Sequence, residues 1–382
     1  MQTRTEWVDY AKALGIMLVV YGHVARGLHN AGIDLPVRFY ELTDSIIYSF
    51  HMPLFFVLAG LFFCRSFQKQ GGTGLVLSKV DTIVYPFILW SILQGSVEAL
   101  LASHTNGDVT FAEVFSLFWS PRAQFWFLYA LFLAFVLATL LYSKLSLKIT
   151  LPVFALAGAA YVFQGQLPSA AAVQFLANNF VYFVLGIVFS QYLSIRRFAH
   201  AGSLLALTGL FALAQTVFHI ALDLRYEDKG VASLALAFVS IAWVFSLCAW
   251  AAQLPNKWIM FIGTSSMAIY LMHILAGSGV RIILGRVLGV DDAGVHLIVG
   301  CAVGLFAPLL AVMLIDKLKI PFVFAAPISA ALIRTPASGQ SANGYQTAIR
   351  QQPDEPRAED LAHQTREALT DSGNRDQATP DT

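Results

Sequence analysis

The sequence predicts an all-α, polytopic integral membrane protein: a bundle of about ten transmembrane helices with both termini cytoplasmic. Three observations predict it. Of 382 residues, 57% are hydrophobic and 12% charged, against about 25% charged in an average soluble domain. Apolar runs of about 20 residues, the length that crosses roughly 30 Å of hydrocarbon, recur from end to end. Lysine and arginine divide unevenly between alternate connecting segments.

The runs lie near residues 8–28, 42–64, 80–101, 124–142, 148–164, 172–192, 200–222, 231–252, 258–278 and 294–316, each bounded by charge, Gly or Pro. The first follows six mostly polar residues, is too long for a signal-peptide core and lacks a small-residue cleavage site, so it reads as a retained helix. With the N-terminus inside, cytoplasmic segments hold twelve Lys and Arg, from Arg4 to Arg334, and outer segments seven, from Arg26 to Arg286. Nine acidic residues dilute the outer set, which fixes the orientation by the positive-inside rule. The longest outer loop, near residues 102–123, carries Phe111-Ala112-Glu113-Val114-Phe115-Ser116-Leu117-Phe118-Trp119, whose aromatics suit either the headgroup level or a lid over an outer site.

Composition changes at Thr335. Residues 335–382 hold four Arg against eight Asp and Glu with a single aromatic, Tyr345, so this tail carries −4 and the membrane domain, residues 1–334, carries +5. The tail has too little apolar surface to fold alone and reads as a disordered cytoplasmic extension. No basic stripe suggests nucleic acid, and Cys64, Cys248 and Cys301 form neither a CxxC pair nor a disulfide framework. Metal and redox chemistry find no ligand pattern, and GxSxG, HExxH and P-loop spacings are missing.

Ionisable groups inside spans are costly, so each is a functional candidate. In the first run, Asp9, Lys12 and His23 fall within an arc of about 60° on one helix face, with His23 about 16 Å beyond Lys12. That distance rules out an Asp9–His23 dyad in a straight helix; any carboxylate partner for His23 must come from another span. Asp9 and Lys12 read either as an interfacial ion pair at a helix start or as functional groups. His23 reads either as a hydrogen-bonded structural residue or as a general base that changes charge near neutral pH. In the second run, Pro53 beside His51 bends the helix and frees a carbonyl, and His51 either satisfies that kink or meets substrate. In the ninth, Ser266, Tyr270 and His273 share a face. Gln94, Glu98, Asn178 and Asn179 read as satisfied core groups. A polar interior with three intramembrane histidines does not by itself separate an enzyme from a proton-coupled transporter that relays through Lys12, His23 and His273.

At these residues the chain resembles the membrane-bound acyltransferase 3 family, which includes bacterial exopolysaccharide, O-antigen and Nod-factor O-acetyltransferases. Trp7-Val8-Asp9-Tyr10-Ala11-Lys12 followed by Leu18-Val19-Val20-Tyr21-Gly22-His23 resembles the family's first helix, with a basic residue eleven positions before a His. Phe50-His51-Met52-Pro53-Leu54-Phe55-Phe56-Val57-Leu58-Ala59-Gly60 resembles its second-helix signature, and Ser266 to His273 its late Ser-x-x-x-Tyr-Leu-x-His element. Lys79 with Tyr85-Pro86-Phe87, and Phe125-Trp126-Phe127-Leu128, are weaker matches. Lys12 stands where many members have Arg, as in the fucose acetylase-like branch, and the paired arginines before the third helix reduce to Lys79 with Asp81.

The resemblance implies a bacterial inner-membrane, multi-pass O-acyltransferase of polysaccharide biosynthesis. Acetyl or another short acyl group is taken from cytoplasmic acetyl-CoA or other acyl-CoA, a co-substrate and not a bound cofactor, to a sugar hydroxyl of an exopolysaccharide, O-antigen or lipid-linked oligosaccharide. Lys12, Arg65 and Lys79 would meet the CoA phosphates. His23, with Lys12 and Asp9 in the catalytic set, would be general base towards the acceptor or a nucleophile carrying the acyl group; the base is preferred, and either role needs neutral imidazole. His51, Ser266, Tyr270, His273 and Trp126 form the substrate-side set, with Tyr270 and His273 orienting the acceptor or donating to the oxyanion. Membrane lipids, the glycan acceptor, acyl-CoA and a polysaccharide biosynthesis complex are the expected partners. Truncation after Thr335 is expected to leave acyl transfer within about twofold of the full chain; a large loss, measured as ester on the host glycan, would show that the tail binds a needed partner.

Overall fold

In the computed structural model, residues 3–33, 35–100, 111–116 and 121–332 are described. Residues Thr3–Arg334 form one compact unit. Among the described residues there is no strand, as hydrocarbon requires of chain segments that must satisfy every backbone group internally. Among the described residues, nine helices are long and apolar enough to cross a membrane, and a tenth, shorter apolar helix spans Leu147–Val162, the fifth and shortest predicted run.

The elements run in this order. α1 is Thr3–Asn30, α2 Val37–Tyr48, α3 His51–Leu61, α4 Phe63–Lys79, α5 Tyr85–Leu100, α6 Phe111–Phe115, α7 Trp126–Lys144 and α8 Thr150–Val162. α9 is Ala171–Tyr192, α10 Ala201–Thr216, α11 Val231–Ala251, α12 Lys257–Thr264, α13 Ser266–Ile282, α14 Ala293–Leu318 and α15 Ile328–Leu332. α1 stops where Gly32 takes a left-handed φ of 73°, open to glycine without strain.

Several boundaries differ from the hydropathy reading. The second run starts earlier, at Val37, and breaks between α2 and α3. The break precedes Pro53, which therefore sits in the first turn of α3, where a missing N–H costs little. The third run is the end of a 38-residue helical stretch, Phe63–Leu100, kinked at Gly71 and widened into a π segment at Val80–Val84. The inner segment holding Arg65, Lys69 and Lys79 is thus helical, because its polar residues line a helix face and not a loop. The ninth run is two helices, since Asn256 caps α12 and the chain restarts at Ser266, continuing to Val287.

Of the long outer loop, residues 101–110 and 117–120, including Phe118 and Trp119, lie outside the described residues. Val114 of α6 is buried beside Gly95 of α5, so this part of the loop is packed on the bundle. The tail from Thr335 also lies outside them. Beyond α14, the chain returns onto α5: Tyr85 donates to the Phe322 carbonyl at 2.8 Å, Trp90 to the Val323 carbonyl at 2.9 Å, and Asp81 accepts from the Ser329 N–H and hydroxyl at 2.7 Å each.

α1 is the central helix, packed against α2, α3, α11, α12, α13 and α14. Around it an aromatic core links Trp7 to Phe245 and Phe245 to Phe189 at centroid separations of 4.8 and 5.0 Å. Helices in hydrocarbon gain little from excluding water, so close approach matters more than apolar area. α3 and α9 use Gly60 and Gly186: a Cβ on Gly60 would lie 1.9 Å from the Phe183 carbonyl oxygen, and one on Gly186 2.1 Å from that of Val57. Gly60→Ala is therefore expected to destabilise the fold by about 2 kcal/mol or more, although Ala is the better helix former. Gly209→Ala in α10, with nothing within 4 Å, is expected to gain about 0.5–1 kcal/mol. Thermal unfolding in detergent should move the two midpoints in opposite directions.

Candidate active site

A cavity of about 210 Å³ is lined by His23, Arg26, Tyr48, Met52, Ala123, Gln124, Trp126 and Tyr270. It is walled by α1, the α2–α3 break, the start of α7 and α13. Its volume leaves room for several waters or a small organic group.

His23 is half-buried. Its Nδ1 lies 2.9 Å from the Val19 carbonyl one turn back. A carbonyl only accepts, so Nδ1 carries the hydrogen and, in the neutral ring, Nε2 carries the lone pair. No carboxylate hydrogen-bonds His23 among the described residues; the orienting partner is a backbone carbonyl of its own helix.

His51 and His273 are held the same way. His51 Nδ1 is 2.8 Å from the Ile47 carbonyl at the α2–α3 break, a carbonyl that also accepts the Phe50 N–H at 3.3 Å. His273 Nδ1 lies 2.8 Å from the Tyr270 carbonyl and 3.1 Å from that of Ile269. Both are fully buried behind the cavity wall: His273 packs edge-on to His23 at 5.0 Å and His51 edge-on to Tyr48 at 4.5 Å. Their Nε2 atoms have no hydrogen-bond partner among the described residues. Two further histidines are embedded, correcting the count of three: His219 beside the Leu224 carbonyl at 3.0 Å and His296 beside that of Val290 at 2.7 Å. Both secure chain reversals at span ends, which periodicity does not reveal.

Tyr270 spends its hydroxyl hydrogen on the Gln124 carbonyl. Gln124 is held in turn by a reciprocal amide pair with Gln94, at 2.7 and 3.3 Å, and Glu98 pairs with Arg122 at 3.3 Å. Gln94 and Glu98 are thus satisfied core groups that shape the wall. Ala123 holds a left-handed φ of 45°, a strained position for a residue with a Cβ, where the wall turns into α7.

The best-anchored charge is one that sequence reasoning placed only among the outer basic residues. Arg26, one turn beyond His23, makes a two-pronged ion pair with Asp44 of α2, Nε to Oδ1 at 2.7 Å and Nη2 to Oδ2 at 2.8 Å. Nη2 also donates to the Tyr226 hydroxyl at 2.7 Å, and the guanidinium lies 3.3 Å from the Tyr48 ring centroid. Burial pushes the Tyr226 hydroxyl up to about 12, so it stays a neutral phenol. The signals were an Arg three residues after the candidate base, on its face, and an Asp inside an apolar run.

The remaining predicted residues lie elsewhere. Asp9 and Lys12 pair at 3.3 Å and do not line the cavity. Lys79 sits 4.6 Å from the Phe135 ring centroid with no ion pair among the described residues, and Arg65 is exposed. Among the described residues, no hydrogen bond joins Lys12, Arg65 and Lys79. Ser266 begins α13, away from the cavity wall, whereas Trp126 and Tyr270 line it. Among the described residues, no group of three or more His, Cys, Asp or Glu is placed to hold a metal ion.

A family model described as an acyltransferase domain matches residues 5–316. The chain is 26% identical over 191 residues to the nodulation protein NolL of Sinorhizobium fredii, covering 48% of each chain. It is 25% identical over 143 residues to the protein of the same name from Mesorhizobium japonicum, covering 37% of each. The chain thus spans about half the length, or less, of these curated relatives. No solved structure matches it. Tyr270→Phe, which strips the Gln124 carbonyl of its donor, is expected to cost about 1–3 kcal/mol and lower the thermal midpoint by several degrees; an unchanged midpoint would show that this wall is not held by the bond.

Proposed function

The chain belongs to this acyltransferase family, and on that premise we propose that it is a membrane O-acyltransferase moving an acetyl or other short acyl group from acyl-CoA to a sugar hydroxyl of a surface glycan. The observation that carries the reading is His23: a cavity-wall imidazole whose Nδ1–H is committed to the Val19 carbonyl, so the neutral ring meets the cavity chemistry as a base at Nε2.

In this reading the acceptor hydroxyl gives its proton to His23 Nε2 as its oxygen attacks the thioester carbonyl. The carbonyl π electrons move to oxygen, and collapse of the tetrahedral adduct breaks the carbon–sulfur bond. The departing thiolate takes the proton back from His23. Free CoA and an O-acyl sugar result, and His23 returns to the neutral ring. Proton transfer by a positioned side chain typically supplies about 10²–10⁴-fold in rate.

The twelve inner against seven outer basic residues support cytoplasmic termini. That orientation puts Lys12 and Lys79 on the acyl-CoA side and the cavity in the outer half of a bacterial inner membrane. Lys79, half-buried in the bundle and without a carboxylate partner among the described residues, suits a phosphate better than a structural ion pair. The 1–334 unit is the catalytic domain in this reading and the tail an appendage.

The test is the ester content of the host's surface glycan by NMR, in a deletion strain complemented with wild type or His23→Ala, with both proteins shown to reach the membrane. Esters are expected to vanish in the deletion, return with wild type and stay absent with His23→Ala. A glycan carrying the same esters in all three strains would sink the proposal and favour transport.

A further inference from the structure

We infer that Arg26 is a second catalytic residue, its Nη1 amino group donating to the oxyanion that forms on the thioester carbonyl, with Asp44 and Tyr226 as its positioning residues. The inference rests on the acyl-transfer reading above.

It follows from the donors around the cavity, among which the Tyr48 hydroxyl and the Trp126 indole N–H offer one neutral hydrogen each and a guanidinium offers charged ones. The adduct places a negative oxygen beside His23 at the moment the acceptor proton sits on Nε2, so a second group must supply hydrogens. Tyr270 spends its hydroxyl hydrogen on the Gln124 carbonyl, and Gln124 spends its amide on Gln94. His273 spends its Nδ1–H on the carbonyls of Ile269 and Tyr270, leaving an acceptor at Nε2. The substrate-side tyrosine and histidine are therefore poor oxyanion donors.

Arg26 differs. Its Nε and Nη2 hydrogens are taken by Asp44 and Tyr226, while Nη1, with two N–H groups, has no acceptor among the described residues. The group lines the same cavity, one helical turn from His23. It stays charged throughout the reaction, since a guanidinium is not deprotonated in proteins. The anchors come from α2 and from the 222–230 connection, and the Tyr48 ring supports one face. Tyr226 is itself pinned, its N–H donating to Ser45 at 2.9 Å. The donor is thus oriented before substrate arrives, the condition under which such donors accelerate the chemical step. Asp44 cancels the net charge, so the pair supplies donors without an uncompensated cation beside the base.

The experiment uses the full chain purified in detergent, with acetyl-CoA as donor and the host's surface glycan, de-esterified by alkali, as acceptor. CoA thiol release and ester formation are both read. Arg26→Ala is expected to lower kcat about 10²–10³-fold with KM for either substrate within about threefold. Millimolar ethylguanidinium should restore at least tenfold of the loss. A kcat within threefold of wild type, a loss confined to KM, or a loss without rescue would each overturn the inference. Should Arg26→Ala not fold, Tyr226→Phe keeps both charges and loosens one anchor: a kcat about fivefold lower at unchanged KM supports the inference, and an unchanged kcat overturns it. If wild type itself forms no ester, the acyl-transfer reading fails first and the inference falls with it.

Discussion

In a hydrocarbon slab a polar group that lacks a protein partner has no water to fall back on, and this constraint shapes the interior of the bundle. Its clearest expression is a habit shared by three histidines. His23, His51 and His273 each donate Nδ1–H to a carbonyl one turn earlier in the chain. The bond removes one polar liability, locks the ring against its helix and sets the tautomer. What remains on each ring is a lone pair at Nε2, buried for His51 and His273 and at the cavity wall for His23. Of these three similarly held rings, His23 is the one that lines the cavity.

The same constraint explains why charges inside the bundle come paired. The Arg26–Asp44 fork joins α1 to α2, and the Tyr226 hydroxyl ties both to the connection between α10 and α11. Arg225 pairs with Glu41 at 3.2 Å along the same seam. That outer pair is exposed and worth little by itself, whereas the fork is more buried, two-pronged and backed by an aromatic face. Lys79 stands apart, half-buried against Phe135 with no ion pair among the described residues.

Rigidity around the cavity comes from close backbone contact. Gly60 and Gly186 let α3 and α9 touch, and Gly263 of α12 meets the Asp9 backbone at a distance no side chain would allow. The second contact fixes the start of α1, and so the rotation of its polar face, on which Asp9, Lys12, His23 and Arg26 all lie. A polar wall of Gln94, Gln124 and the strained Ala123 closes the opposite side.

Much of this was legible in the sequence, because hydrophobic length and charge bias act locally. Ten apolar runs, the helical class and the shared face of Asp9, Lys12 and His23 follow from spacing alone. The role of His51 at a broken helix follows from Pro53 and its neighbours, although the break falls two residues before His51 and not at the proline. Only the tertiary structure decided which polar groups meet. Asp44 lies 18 residues from Arg26 and Tyr226 lies 200 away, so no helical periodicity relates them. Gln124 and Tyr270, 146 apart, share a bond for the same reason. Spans can be read from hydropathy because each helix satisfies its own backbone; a cavity cannot, because its walls are side chains whose partners are chosen only when the helices pack.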